Sequence, residues 1–179
     1  MKFQDYKQES RGMGGDYFRL ALGENKVRVL TEPEKIAIHY SQAERRSFLC
    51  TGDVCPHCKA KRPSHRIMLY VLDRADGKVK LAELPWSVFT ALGELANTSE
   101  YAFKDIPPYD IIIMKSGEGL DTTYTVQAGR NESSLTAEQQ AELANKKQVK
   151  EIIAARRAKE LEKAVNDIPH PLAEDDYIG

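Results

Sequence analysis

All three cysteines of the 179-residue chain lie within nine residues of one another, at Cys50, Cys55 and Cys58. Cys55-Pro-His-Cys58 has the C-x-x-C spacing that lets two thiolates bind one metal ion from a tight turn. Zinc requires four ligands in a tetrahedron and prefers sulfur and imidazole nitrogen. Cys50 can supply the third ligand, and a histidine must supply the fourth because no cysteine is left. The cluster therefore predicts a zinc-stabilised insertion, whose folding depends on the metal.

The fourth ligand must be one of three nearby histidines. His39 ends the alternating run 35–40, which predicts a strand that would hold its ring rigidly beside the cysteines. His57 lies inside the C-x-x-C turn, where its side chain tends to point away from the metal. His65 is the alternative that the spacing leaves open. The predicted zinc ligands are His39, Cys50, Cys55 and Cys58.

The site is typical of a structural zinc ion rather than a catalytic one. Four protein ligands leave no open coordination position for water or a substrate. The chain has neither the H-E-x-x-H sequence of metalloproteases nor the H-x-E sequence of zinc deaminases. A redox C-x-x-C pair accompanies a βαβ unit, and no such unit flanks these cysteines. We therefore expect a protein that is not an enzyme and that binds one structural Zn²⁺.

The cysteines and the hydropathy also bear on the cellular setting. An odd number of cysteines does not suit the disulfide framework of a secreted protein. The sequence shows no signal-peptide pattern and no apolar run long enough to cross a membrane. We therefore expect a cytoplasmic protein with reduced thiols and no membrane partner.

Charge is distributed unevenly along the chain, although the formal net charge is only −1. Between Arg19 and Arg66 there are ten basic residues and five acidic ones. The last fourteen residues, from Asn166, carry four acidic residues and no Lys or Arg. The basic front and the acidic tail cancel in the total, but they act at different places.

The hydrophobic periodicity predicts a mainly β core with helices. Residues 26–30 and 35–40, with Pro33 between them, predict one long bent strand. Two hairpins follow, one over 66–72 and 78–81 with an Asp76-Gly77 turn, the other over 109–115 and 122–128. One helix is predicted to begin at Pro85, and a second follows the capping box Thr136-Ala-Glu-Gln139 to Val165, with a break near Asn145.

Five strands with a helix between the third and the fourth is the order of an OB-fold, a small, partly open β-barrel. In that fold nucleic acid lies across strands two and three and the loops that join strands one and two and strands four and five. The zinc segment would be the first of these loops, and residues 116–121 the second. The predicted organisation is a flexible arm over 1–16, an OB-fold-like core over 17–130 with the zinc insertion at 39–66, a helical extension over 131–166 and an acidic tail over 167–179.

A groove for single-stranded nucleic acid combines basic side chains along the phosphates with aromatic rings that stack on the bases. Trp86, in the first turn of the predicted helix, is expected to pack in the core instead. The basic candidates are Lys26, Arg28, Arg45, Arg46, Lys59, Lys61, Arg62 and Arg66. The aromatic candidates are Tyr40, Phe48, Tyr70 and Tyr124.

One family resembles this pattern of residues. His39 and the three cysteines, inserted between early strands and flanked by Asn25-Lys-Val-Arg-Val-Leu30 and Tyr109-Asp-Ile-Ile-Ile113, are similar to the zinc-containing single-stranded-DNA-binding (helix-destabilising) proteins of T-even bacteriophages. The resemblance covers roughly residues 17–128. It implies a His-Cys-Cys-Cys zinc site, sequence-tolerant binding of single-stranded DNA, roles in DNA replication, recombination and repair, and a place in the host cytoplasm.

The same resemblance implies an acidic C-terminal region that recruits replication or recombination proteins. The end of this chain, Ala173-Glu-Asp-Asp-Tyr-Ile-Gly179, is similar in kind to such a region. The predicted partner-binding residues are Glu174, Asp175, Asp176, Tyr177 and Ile178.

A function of another class also fits the sequence. A zinc-ribbon adaptor would bind a protein partner through the helix over 136–165 and the acidic tail. That hypothesis predicts a stable protein complex and no affinity for nucleic acid.

Overall fold

The computed structural model describes residues 15–41, 44–129 and 134–166 of the chain. Most of the predicted arm over 1–16 and the whole of the predicted tail over 167–179 lie outside these ranges. The predictions for Glu174, Asp175, Asp176, Tyr177 and Ile178 therefore also fall outside the described residues.

The described chain contains eight strands and three helices. The strands are β1 (Tyr17–Phe18), β2 (Gly23–Val29), β3 (Glu34–Ser41), β4 (Arg46–Leu49), β5 (Ser64–Asp73), β6 (Lys78–Pro85), β7 (Ile111–Ser116) and β8 (Thr123–Ala128). The helices are α1 (Trp86–Ala96), α2 (Ala137–Ala144) and α3 (Val149–Asn166). Within the described ranges, none of these helices combines the length and the hydrophobicity that crossing a membrane requires.

The chain divides into two compact units. The first comprises the described residues up to Lys35 together with His65–Val149, and the second comprises Ile36–Ser64 together with the described residues from Lys150. The helical extension predicted over 131–166 is therefore divided, because α2 belongs to the first unit and nearly all of α3 to the second.

Six strands of the first unit form a mixed sheet in the order β1-β6-β5-β2-β7-β8. Only the β1–β6 pair is parallel; the other four neighbouring pairs are antiparallel. Among the described residues β1 pairs only with β6 and β8 only with β7, so the path has two ends and the sheet is open. The predicted mainly β core with helices is confirmed, while a closed barrel is not formed.

The two predicted hairpins and the helix between them are reproduced, whereas the start of the chain differs and contains two further strands, β1 and β4. The two hairpins form as β5–β6 and β7–β8, and α1 lies between them in the chain. The expected single bent strand is instead two strands: β2 pairs with β5 and β7, whereas β3 pairs with β4 in the second unit. The strand breaks over residues 30–33, where Pro33 has no backbone N–H to donate to a ladder.

Apolar residues on β2, β5, β6 and β7 pack against α1 to form the core of the first unit. On β2, Val27 and Val29 are buried and alternate with the half-buried Lys26 and Arg28, as the pattern predicts. Pro85 is the residue immediately before α1 rather than its first residue. The buried cluster consists of Phe18, Val27, Val29, Ile67, Leu69, Val71, Ala82, Leu84, Val88, Leu92, Tyr109, Ile111 and Ile113.

The first unit also contains a buried ion pair. The carboxylate of Asp110, only 1% exposed as a residue, accepts two hydrogen bonds from Arg74, at 3.0 Å from Nε and 2.8 Å from Nη2. Lys26 Nζ lies 3.9 Å from the same carboxylate. The pair satisfies a carboxylate that burial would otherwise penalise by several kcal/mol.

The capping box predicted for α2 is present. Thr136 Oγ1 accepts a hydrogen bond from the backbone N–H of Gln139, and the Gln139 side chain accepts one from the N–H of Thr136. The helix ends at Ala144 and α3 begins at Val149, which agrees with the predicted break near Asn145.

Candidate metal centre and nucleic-acid-binding surface

Four side chains of the second unit converge on one point, and they are the four predicted ligands. The ligand atoms of His39, Cys50, Cys55 and Cys58 all lie within 4.8 Å of one another. Cys58 Sγ is 3.4 Å from His39 Nε2 and 3.5 Å from Cys50 Sγ. Around a tetrahedral zinc ion with Zn–S bonds of about 2.3 Å, ligand atoms are about 3.8 Å apart. The four side chains therefore lie close enough together to hold one metal ion, and their arrangement fits a structural zinc site.

Each ligand is placed by local backbone structure. His39 lies on β3, paired with Phe48 of β4, and Cys50 follows β4 with its N–H donating to the carbonyl of Ala37 at 2.8 Å. Cys55 and Cys58 belong to a short 3-10 turn, in which the N–H of Cys58 donates to the carbonyl of Cys55 at 3.3 Å. The hairpin therefore supplies two ligands and the turn supplies the other two.

The electrostatics of the cluster suit a divalent cation. Burial raises the pKa of the Cys55 thiol, but backbone hydrogen bonds from Thr51, His57 and Cys58 outweigh it and lower the pKa to about 7. The hydrogen bond with Cys50, followed by burial and the neighbouring thiols, raises the pKa of Cys58 to about 12. Three thiolates cannot share one site without a compensating positive charge, and a Zn²⁺ ion provides it.

The choice among the histidines is settled by their positions. Burial and the neighbouring His57 lower the pKa of His39, which favours the neutral imidazole that binds metals. The His57 ring packs 4.7 Å from the ring of Phe48, measured between centroids, and is not one of the four ligands. The His65 ring lies beside Trp86, with centroids 6.0 Å apart. The structure therefore groups His39, and not His65, with the three cysteines.

The predicted nucleic-acid contacts of the second unit differ in exposure. Tyr40, 57% exposed, projects from β3. Phe48 is buried, with the Arg46 guanidinium 4.1 Å above its ring, so it offers no free ring face to a base. Arg46 also contacts Glu44 at 2.8 Å. The predicted basic contacts of this unit are all exposed; they are Arg45, Arg46, Lys59, Lys61 and Arg62.

Of the predicted contacts in the first unit, Tyr70 is the clearest correction. Its side chain is buried, the residue being 5% exposed, and its hydroxyl donates to the carbonyl of Lys147 at 3.0 Å. The alternating pattern of β5 predicted one open face, but all residues from Ile67 to Leu72 are buried. Tyr70 therefore packs as a structural residue and does not present its ring to a base.

Lys26 and Arg28 are also poorly placed to meet phosphate. Lys26 lies near the buried Asp110, and the Nη1 atom of Arg28 is buried without a hydrogen-bond partner in the described part of the chain. Trp86, expected in the core, is 36% exposed instead. It lies at the first position of α1, whose buried residues are Val88 and Leu92.

The remaining two predicted residues, Arg66 and Tyr124, line an open cleft of about 400 Å³ in the first unit. Tyr17, Arg19 and Lys115 also line it, and the sequence reasoning missed all three. Tyr17 is 57% exposed, and Lys115 is paired directly with Tyr124 across β7 and β8. We call this feature the aromatic–basic cleft; its full lining is Tyr17, Phe18, Arg19, Leu20, Arg66, Glu83, Pro85, Lys115 and Tyr124.

One sequence feature could have identified part of the cleft. Lys115 ends the first strand of the second predicted hairpin and Tyr124 lies near the start of its second strand, so antiparallel pairing of the two strands brings them close together. Tyr17 and Arg19 follow the glycine-rich segment over 12–15 and carry no periodicity that would mark a strand.

Comparison with known proteins finds no matching family model, no similar curated protein and no similar solved structure.

Proposed function

We propose that this protein binds single-stranded DNA without strong sequence preference, and that the aromatic–basic cleft is a contact surface for the strand. The observation that carries the proposal is the composition of that cleft. It combines two tyrosines with three basic side chains on one open surface of the first unit. This is the combination that follows phosphates while offering rings to bases.

The charges of the cleft favour an anionic chain. Arg19, Arg66 and Lys115 are opposed by one acidic residue, Glu83, whose carboxylate is 3.7 Å from Arg66. Lys115 Nζ donates to the carbonyl of Leu20 at 3.4 Å, a long hydrogen bond that a phosphate can replace. The cleft therefore has two positive charges in excess.

The order of the elements supports the proposal. Leaving aside β1 and the β3–β4 hairpin of the second unit, one strand, a hairpin, a helix and a second hairpin follow in the order of an OB-fold, in which strands two and three carry the bound oligonucleotide. On that assignment β5 and β6 are strands two and three, and they contribute Arg66, Glu83 and Pro85 to the cleft. The resemblance to the T-even helix-destabilising proteins extends the proposal to roles in replication, recombination and repair in a host cytoplasm, with partner proteins recruited by the acidic tail.

In this proposal the metal is a Zn²⁺ ion with a purely structural role. The second unit has few buried apolar residues around its turn over 52–59, so the ion holds a segment that apolar packing alone does not hold. The exposed Arg45, Lys59, Lys61 and Arg62 surround the metal site in sequence and supply further phosphate contacts. No step of catalysis is involved.

Fluorescence anisotropy of labelled oligo-dT and of a matched duplex, titrated with the full chain over a salt series, tests the proposal. We expect tighter binding to the single strand and an affinity that falls steeply with salt, because bound cations release counterions. Equal affinity for the two ligands would contradict it. No binding to either at low salt would favour the adaptor hypothesis, and the search would turn to a protein partner.

Three substitutions connect binding to the cleft. Tyr17→Ala and Tyr124→Ala each remove a ring, and we expect roughly fivefold or greater weakening for a ring that stacks on a base. Arg66→Ala removes one phosphate contact and should reduce the salt slope by about 0.7. The matched control is Lys78→Ala, an exposed residue at the far end of the same strand as Pro85, which removes one charge outside the cleft.

A further inference from the structure

Trp86 is the only tryptophan of the chain, and its place in the structure is unusual for so large an apolar side chain. It is 36% exposed at the start of α1, although tryptophan is highly buried on average. It directly follows Pro85, which lines the aromatic–basic cleft. Packing of α1 does not explain the position, because the helix buries Val88 and Leu92.

The surroundings of the indole ring are aromatic and basic. The Phe89 ring supports it at a centroid distance of 4.6 Å, and His65 lies 6.0 Å away. Lys35 Nζ is 4.9 Å from the centre of the ring, in a cation–π contact. Lys35 is itself exposed, so its flexible side chain can leave the ring without unpacking the core.

The sheet register places this group next to the cleft. Arg66 of the cleft is paired with Pro85 in the antiparallel β5–β6 ladder. His65 precedes Arg66 and Trp86 follows Pro85, so these two residues come directly after the last pair of the ladder. Successive residues of a strand point to opposite faces of the sheet, so a DNA strand bound in the cleft reaches the indole by passing around the end of β6, where α1 begins. The nucleic-acid chain is flexible enough to follow such a step, because each nucleotide has several rotatable backbone bonds.

We propose that Trp86 is a second stacking site, which binds a nucleobase of the same single strand that occupies the aromatic–basic cleft. The base takes the place of the Lys35 ammonium over the indole ring, and Lys35 moves to pair with the adjoining phosphate. This inference rests on the proposed function and adds a specific residue and a specific ligand group to it. Stacking on an aromatic ring tolerates every base, since each has a π face.

Tryptophan fluorescence of the full chain, excited selectively over the eight tyrosines, reports on this site alone, because the chain has no other tryptophan. Unlabelled oligo-dT should quench the emission and shield it from acrylamide, with the same midpoint as the anisotropy titration. Photo-crosslinking with an oligomer that contains 5-bromodeoxyuridine, followed by mass spectrometry, should place a crosslink on Trp86.

Variants separate stacking from a structural contribution of the ring. Trp86→Ala should weaken binding by roughly tenfold, whereas Trp86→Phe should retain most of the affinity because it keeps a stacking face. Lys35→Ala should lower the salt slope by about 0.7. The Lys78→Ala variant should change none of these values, and thermal unfolding of each variant shows whether it is folded.

The outcomes distinguish this inference from the proposed function. Binding by anisotropy with unchanged Trp86 emission and crosslinks only on Tyr17 or Tyr124 would overturn the inference and leave the proposed function standing. Absence of binding by anisotropy would overturn the proposed function itself. Quenching without a Trp86 crosslink, together with unchanged affinity of Trp86→Ala, would also overturn the stacking site.

Discussion

The Nε2 atom of His39 lies 3.4 Å from the Sγ atom of Cys58, although the two residues are nineteen positions apart in the chain. His39 is buried on β3 and Cys58 is exposed in the turn that follows β4. The contact therefore joins a hairpin to a turn that has no buried apolar residue of its own apart from Cys55. A metal ion bound by both segments closes this loop of the second unit.

We expect one zinc ion per chain, bound by His39 rather than by His65. Metal analysis of the purified protein should give a stoichiometry near one, and His39→Ala should lose most of the metal because one of four ligands is gone. His65→Ala is the matched control and should keep its zinc. Removal of the metal with a chelator should make residues 36–64 sensitive to limited proteolysis, because metal binding and folding are coupled. Retention of full zinc by His39→Ala would contradict the ligand assignment.

Tyr70→Phe should lower the free energy of unfolding and leave DNA affinity unchanged. The substitution removes the hydroxyl that donates to the Lys147 carbonyl at 3.0 Å, a bond whose loss costs about 1 kcal/mol. Urea unfolding and the anisotropy titration measure the two effects separately. A loss of affinity with unchanged stability would mean that Tyr70 contacts the strand.

Arg74→Ala should destabilise the first unit by about 3 kcal/mol, because it leaves the buried carboxylate of Asp110 without its two strongest hydrogen bonds. Denaturant unfolding monitored by circular dichroism gives the value. Lys104→Ala, at an exposed position of the same unit, is the control and should stay within about 0.5 kcal/mol of the unsubstituted protein. A loss below 1 kcal/mol would show that Lys26 alone satisfies Asp110.

The ion pair of Lys80 and Asp76 predicts a pH dependence of stability. Burial raises the pKa of Asp76, but the hydrogen bond and charge of Lys80, 2.6 Å away, lower it below its ordinary value of 3.8. A group with a lowered folded-state pKa stabilises the fold above its unfolded-state pKa and loses that stabilisation as pH falls through the folded value.

Asp76→Asn should therefore reduce the free energy of unfolding by up to about 1 kcal/mol at pH 7. The difference from the unsubstituted protein should shrink as pH falls from 3.8 through the lower folded-state pKa, below which Asp76 is protonated in both states. Urea unfolding at pH 7, 4 and 3 measures it, with Asp105→Asn at an exposed position as the control. A difference that stays constant down to pH 3 would contradict the assignment.

Elements with a local sequence pattern were predictable. The turn at Asp76-Gly77, the alternation of β2 and the capping box of Thr136 and Gln139 each depend on residues close together in sequence. The metal ligands were predictable for a different reason: the valence of zinc limits the number and type of residues that can bind it. With three cysteines available, only the histidine had to be chosen.

Features that depend on distant pairing were not predictable. Tyr70 shares a face of β5 with Arg66 and was expected on an open surface, yet its side chain is buried and its hydroxyl donates to Lys147, 77 positions further along the chain. Trp86 lies at the first position of α1, where burial was expected, but the residues that α1 buries are Val88 and Leu92. The two-residue strand β1 is too short to show any period, and its parallel partner lies more than sixty positions further on.

That short strand has a consequence for how the chain can be trimmed. β1 covers part of the outer edge of β6, and the carbonyl of Asp16 accepts a hydrogen bond from Leu81 at 2.8 Å. Asp16 is also tied to Lys146 by an ion pair of 2.8 Å. An uncovered strand edge is a template for pairing with another molecule. Shortened versions of the protein that begin after Phe18 will therefore expose that edge and aggregate, whereas those that begin at or before Gly15 will keep it protected.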